Sequence, residues 1–217
     1  MLAWTVAVAH ACALGPVCVL SDDPRLDAAA ERATVIRIDG PFLNGSERIA
    51  AALGRGLLGS PDIVVNLQAD AVGATPAAVR AAVQALIDDP AATLATVAVR
   101  ALREQVPRRT TVAQAAGRAL YFSRHALPAA HAGSAPVLAH LGIYAYRVPR
   151  LLELAQVAPG PLERAEGLEQ LRWLENGDAV ALAVVPGPPG LAFAVDSEAD
   201  LLEPVDEHAP ERVDGGR

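Results

Sequence analysis

With 217 residues, the chain suits one domain, or one core with a lobe. Hydrophobic residues make up 52% and charged residues 20%, which excludes a disordered or collagen-like chain. The net charge of -7 speaks against cationic binding to nucleic acid or to an acidic membrane surface, and because all 18 basic residues are Arg, Schiff-base, Walker-type and phosphate-clamping lysines are excluded from this chain.

The first twenty residues carry no charge and lack the basic n-region of a signal peptide; His10, Gly15 and Pro16 interrupt them as a membrane span. They predict a buried helix from Leu2 to Leu14, a Gly15-Pro16 break and a strand from Val17 to Leu20. Cys12 and Cys18 are expected to be buried, inert thiols in a reduced cytoplasm. Further strands are expected at Thr34–Ile38, Ile63–Leu67 and Leu94–Val99. A helix follows Asn44-Gly45 with Ile49, Leu53 and Leu57 on one face; another starts at a Thr75 cap with Pro76 and presents Val79, Val83, Leu86 and Ile87. Near-continuous apolar strands alternating with helices predict an α/β fold with a mainly parallel central sheet and helices on both faces. The second half predicts strands at Ala119–Phe122, Leu141–Tyr146, Val180–Val185 and Ala192–Val195. Between them, Gly160-Pro161 opens a helix with Leu162, Ala165, Leu168, Leu171 and Leu174 on its apolar face, closed by Asn176-Gly177. Residues 1–205 are expected to form a single domain and residues 206–217 a polar, frayed tail.

Gly54 to Gly59 matches G-x-G-x-x-G, but it ends a helix and precedes a strand, the reverse of a dinucleotide-binding loop, and reads as a cap and turn. The carboxylates at strand ends are more informative, because ligands of open α/β sheets bind there. Asp22, Asp23, Asp70 and Asp196 each follow a strand; two or three of them meeting would form an oxygen site for Mg²⁺, although Asp is also common in turns. Arg48 either clamps a phosphate or carboxylate or is a solvated residue behind a Ser46 cap. His140 reads as structural or catalytic. Glu166 and Gln170, at i and i+4, share a helix face with Glu169 and Arg172 close by.

Five stretches in one order carry a more specific signal: Val65-Asn66-Leu67-Gln68-Ala69-Asp70, Ala119-Leu120-Tyr121-Phe122-Ser123-Arg124, His140-Leu141-Gly142-Ile143-Tyr144-Ala145-Tyr146-Arg147, Leu168-Glu169-Gln170-Leu171-Arg172 and Val195-Asp196-Ser197-Glu198-Ala199-Asp200-Leu201. Together they resemble the 3-deoxy-manno-octulosonate (KDO) cytidylyltransferase family, also called CMP-KDO synthetases, over about Met1 to Val205. The resemblance implies a Rossmann-like nucleotidyltransferase fold with a small dimerisation lobe, a cytoplasmic homodimer, and Mg²⁺-assisted transfer of CMP from CTP to KDO for lipopolysaccharide synthesis. It implies that Asp70 and Asp196 hold the metal and act in catalysis, and that Gln68, His140, Tyr144, Glu169 and Gln170 contact the sugar acid. Arg48, behind Asn44-Gly45-Ser46-Glu47, resembles the family's Ser-Gly-Thr-Asp-Arg stretch near both substrates. Two departures stand out. Ala69, Ala71 and Val72 replace the Gly, Glu and Pro of the family's Gln-Gly-Asp-Glu-Pro, and the family's first strand, with its Pro-Ala-Arg-x-x-Ser-x-Arg-Leu-Pro-Gly-Lys triphosphate loop, has no counterpart in these residues. A degenerate homologue that binds sugar acid or pairs with an active subunit, or CMP transfer to another acidic sugar, are the alternatives.

Overall fold

The computed structural model describes residues 1–30, 32–71, 73–105, 109–129 and 136–187. The expected strand at 192–195, Asp196 and the polar tail lie outside the described residues, as does Val72.

Helix α1 (Leu2–Ala11) leads into β1 (Cys18–Ser21), and a 3₁₀ helix (Pro24–Ala30) connects it to β2 (Thr34–Arg37). β1 and β2 form a parallel two-stranded sheet. Helix α2 (Gly45–Gly54) is capped by Asn44, whose Oδ1 accepts the Glu47 N–H at 2.9 Å, while Glu47 Oε2 accepts the Leu43 N–H at 2.9 Å. This reciprocal arrangement satisfies donors that the first helical turn would leave unpaired. The cap is therefore Asn44 rather than Ser46. The G-x-G-x-x-G stretch is a helix end and turn: α2 stops at Gly54, and Gly56 and Gly59 sit at φ 71° and 70°, where a side chain would be strained. Helix α3 (Pro76–Asp88) starts as its Thr75-Pro76 pair predicts, with Thr75 Oγ1 accepting the Ala78 N–H at 3.2 Å. Its buried stripe is Val79, Ala82 and Leu86; Ile87 falls off that stripe and is exposed.

Among the described residues the main sheet has six strands: β3 (Ile63–Leu67), β4 (Ala92–Ala101), β5 (Thr111–Ala115), β6 (Arg118–Ser123), β7 (Val137–Arg147) and β8 (Ala179–Val185), in the spatial order β3-β7-β4-β8-β6-β5. The expected mainly parallel sheet is corrected here to a mixed one. β7 runs antiparallel between β3 and β4, and β6 is antiparallel to β5 and β8; among the described residues β4 and β8 are the parallel pair of this sheet. β3, β4 and β8 do share one direction. β7 misled the reading because a strand buried on both faces is apolar throughout, whichever way it runs. β5 was not anticipated; a two-residue turn at Ala116-Gly117, both at positive φ, joins it to β6.

Helices cover both faces, as expected. One core joins α1 and α3 to Val97, Val99, Leu141 and Ile143 of the sheet. The other joins α2, α4 (Val148–Leu154) and α6 (Leu171–Glu175) to Leu94, Phe122, Tyr144 and Tyr146. The single helix expected from Gly160 to Asn176 is instead two, α5 (Pro161–Glu166) and α6, broken where Gly167 turns left-handed at φ 64°.

Among the described residues β1 pairs only with β2, and β3 only with β7. Both line a cleft of about 760 Å³, which α1 and Phe42 help to close.

Candidate active site

A second cavity, of about 480 Å³, opens beyond the end of β3. Its size suits a small organic ligand. Gln68, Asp70, His140, Tyr144, Glu169 and Gln170 all line it. β3 delivers Gln68 and Asp70 just past its last residue. β7 delivers His140 and Tyr144 on one face, in a run of rings with Phe122 edge-on to His140 at 5.2 Å and Tyr144 stacked on Tyr146 at 5.9 Å. The turn between α5 and α6 delivers Glu169 and Gln170. β7 passes close to Gln68 at Gly142: an added Cβ would stand 2.3 Å from Gln68 Oε1, so a larger residue there would displace the Gln68 side chain.

Glu169 and Gln170 bring buried polar atoms without partners to this cavity. Gln170 accepts from the Tyr144 hydroxyl at 3.4 Å, but its Nε2 has no partner among the described residues, nor have the two carboxyl oxygens of Glu169. Ser46 lies beside Glu169; its hydroxyl is 2.7 Å from Tyr146 Oη, from which it can accept while turning its own proton toward Glu169. Burial pushes the Glu169 carboxyl up to about 7, against the opposing pull of Ser46 and Arg172. His140 is pushed down to about 3 by burial, so its ring is neutral. Orphaned donors and acceptors are costly in a sealed core, and their gathering at one cavity suits a ligand rich in hydroxyls.

Arg172 holds the helices that carry this set. Its guanidinium makes two 2.7 Å bonds to Glu163 of α5 and one of 3.0 Å to Glu47 of α2. Glu166 does not share a face with Gln170, because Gly167 breaks the helix between them. It turns to β6 instead, where its carboxylate accepts from Ser123 Oγ at 2.8 Å and the Arg124 N–H at 3.0 Å. Burial raises the Glu166 pKa, but these bonds outweigh it and hold the group below its ordinary value.

Arg48 lines the cleft between β1 and β3 together with Gln68 and Asp70, but not the cavity that the other candidates share. It packs over Phe42 at 5.7 Å and lies 3.8 Å from Asp22. Asp22 and Asp23 line neither cavity, and Asp23 is tied to Arg25 at 2.6 Å, so the expected meeting of Asp22 or Asp23 with Asp70 does not occur. Asp70, Gln68, Asn44 and Leu43 line both cavities, which adjoin there. Among the described residues no group of three or more His, Cys, Asp or Glu side chains could hold a metal. Asp70 with the amide oxygens of Gln68 or Asn44 is still a donor set that suits Mg²⁺, which needs only one or two carboxylates besides water and phosphate. Arg109, Arg124 and Arg164 also line the cavity and make its rim cationic. They were not singled out, because only the fold brings them together; the signal available was the acidic ligand, which calls for cations that this chain can supply only as Arg.

Cys12 is buried and Cys18 partly so, and burial raises both thiols. No helix among the described residues is long and apolar enough to cross a membrane.

Comparison with known proteins places these features in context. The cytidylyltransferase family model matches residues 1–181. A 3-deoxy-manno-octulosonate cytidylyltransferase of Anaeromyxobacter sp. (strain Fw109-5) is 41% identical over 192 residues, covering 85% of this chain and 76% of the relative. The protein of the same name from Rhodopseudomonas palustris (strain BisB18) is 36% identical over 214 residues, covering 93% of this chain and 84% of the relative. A solved structure of CMP:2-keto-3-deoxy-manno-octonic acid synthetase in complex with CTP superposes with a TM-score of 0.76 at 29% identity, covering 91% of this chain and 84% of that one.

Proposed function

The chain belongs to the 3-deoxy-manno-octulosonate cytidylyltransferase family, and on that premise we propose that its two adjoining cavities divide the substrates of CMP transfer from CTP to KDO between them. The observation that carries the reading is the gathering of Gln68, Asp70, His140, Tyr144, Glu169 and Gln170 around one cavity with unpartnered polar atoms. That cavity takes the sugar acid. Gln170 Nε2 and the Glu169 carboxyl offer a donor and an acceptor to its hydroxyls, and the arginine rim attracts its carboxylate. The nucleotide lies on the side of the β1–β3 cleft, so the α-phosphate comes to the junction at Asp70.

The anomeric hydroxyl of KDO attacks the α-phosphorus of CTP; a new phosphorus–oxygen bond forms, the bond to the bridging oxygen breaks, and pyrophosphate leaves. The protein's work is positioning and electrostatics. Asp70, with Asp196, is proposed to hold Mg²⁺, which would neutralise charge on the phosphates. Neutral His140 and Tyr144 orient the sugar without adding charge beside it.

The finer fold reading is part of the proposal. The edges of β1 and β3 on one cleft, unpaired among the described residues, support an additional strand pairing there, in the manner of the family's first strand, with its phosphate loop reaching the junction. A homodimer and a cytoplasmic location belong to the same proposal, and light scattering tests the first. The deciding experiment is pyrophosphate release from CTP, Mg²⁺ and KDO. Release that needs KDO and is lost in Asp70→Ala supports the reading; a folded chain that binds neither KDO nor CTP overturns it. Binding without release that persists when the family-type strand and loop are supplied would favour the degenerate reading, whereas release restored by them would keep the transferase reading.

A further inference from the structure

Thr96 lies behind the cavity, does not line it, and belongs to none of the motifs that carry the resemblance. On β7, two residues are extra relative to β4: Thr96 pairs with Tyr144 and Val97 with Leu141, which leaves Gly142 and Ile143 in a bulge. The bulge turns carbonyl groups toward the Thr96 side chain. Its hydroxyl oxygen is 2.7 Å from the Ile143 carbonyl oxygen, 3.4 Å from that of Leu141 and 2.8 Å from His140 Nε2. Thr96 is fully buried, so no water competes for these contacts.

A hydroxyl has a single proton, and a carbonyl oxygen can only accept. Two oxygens 2.7 Å apart need a hydrogen between them, so the Thr96 hydroxyl donates to Ile143. What Nε2 meets is then an oxygen lone pair, and Nε2 itself must carry a hydrogen. Because the buried ring is neutral, the other nitrogen, Nδ1, carries a lone pair. The ring lines the sugar cavity, and no described residue donates to Nδ1.

We propose that Thr96 is a positioning residue that holds His140 in the Nε2–H form, so that Nδ1 accepts a hydrogen bond from a hydroxyl of the acidic keto-sugar and rejects a ligand that presents an acceptor oxygen there. The inference rests on the sugar-acid reading of the cavity. It assigns the histidine a single hydrogen-bonding sense, set from β4 through a bulge in β7. Orienting a ring through its far nitrogen is a common way to decide what the near nitrogen can do.

Long-range proton–nitrogen correlation spectra of the full chain with labelled histidines test this, with His140→Gln identifying the resonance. The expected result is a neutral Nε2–H ring whose Nδ1 signal moves on addition of KDO while Nε2 stays. Thr96→Val is expected to scramble the tautomer and weaken KDO binding about tenfold in calorimetry, the scale of one hydrogen bond, with Thr96→Ser within about twofold of the parent. An Nδ1–H ring in the free protein, or KDO binding with Nδ1 unmoved, overturns the inference and leaves the sugar reading standing. Failure of KDO to bind the folded parent chain overturns both. Should Thr96→Val not fold, the parent spectra and Thr96→Ser still decide: a serine variant that keeps the hydroxyl but loses the Nε2–H form counts against it.

Discussion

Replacing Arg172 with Leu should destabilise this protein more than any single change at its surface. The Arg172 side chain is 3% exposed, that of Glu163 is 8% and that of Glu47 is 16%. Removing the guanidinium deletes two 2.7 Å charge-assisted bonds to Glu163 and one of 3.0 Å to Glu47. It also leaves the Glu163 carboxylate inside the protein with no cation. Breaking a buried pair from one side costs about 3–5 kcal/mol, most of it from the stranded charge rather than from the lost attraction. For a domain of this size that corresponds to a fall of about 6–20 °C in melting temperature. Thermal and urea unfolding measure it, with the urea slope checking that the unfolding unit is unchanged. The double variant Arg172→Leu/Glu163→Leu should recover at least half of the loss, because it removes the stranded charge together with its former partner. A single variant that loses less than about 1 kcal/mol, or a double variant no better than the single, would refute this account. The two helices tied together here flank the turn bearing Glu169 and Gln170, so KDO affinity should fall in the single variant even where the chain remains folded.

Three further outcomes are expected. Glu169 releases its proton at about 7 in the folded chain, against 4.5 ordinarily, so the unfolded chain loses its proton first and stability falls as pH rises from about 4.5 to 7, by roughly 3 kcal/mol. Glu169→Gln should flatten that slope, and urea midpoints at pH 5 and pH 7.5 that keep the parent difference would count against it. Gly142→Ala puts a methyl 2.3 Å from Gln68 Oε1, an atom at the end of a flexible side chain, so Gln68 should swing away with little loss of stability while KDO binding weakens about tenfold in calorimetry. Asp70→Asn keeps the shape of the cavity junction but removes its carboxylate; turnover should fall by a factor on the order of 10² or more, and magnesium titrations should require higher metal for the residual rate.

Local features were legible before any coordinates. Thr75-Pro76 marks the start of α3 because a hydroxyl before a proline caps a helix whatever surrounds it. The Asn44 and Glu47 pair could have been read as a capping box on the same ground, and attention to Ser46 missed it. The division of the Gly160–Asn176 helix was also present in the sequence as Gly167, but the apolar spacing of Leu162, Ala165, Leu168 and Leu171 continues across the break and conceals it. Spacing repeats every turn; a left-handed residue interrupts it at one point.

By itself the sequence determined the starts of α2, α3 and α5, most of the apolar strands, the family, and which side chains were candidates for the sugar, because these depend on neighbours along the chain or on motifs of a few residues. Tertiary structure alone decided the direction of β7, since burial on both faces erases the periodicity that would distinguish an inserted antiparallel strand. It also decided that Arg48 stands in the neighbouring cleft while Gln68, Asp70, His140, Tyr144, Glu169 and Gln170 share one cavity. Thr96 shows the difference most sharply. Nothing in its local sequence separates it from any other strand threonine, and its hold on His140 exists only because a bulge forty-odd residues later brings ring, carbonyl and hydroxyl within hydrogen-bond reach.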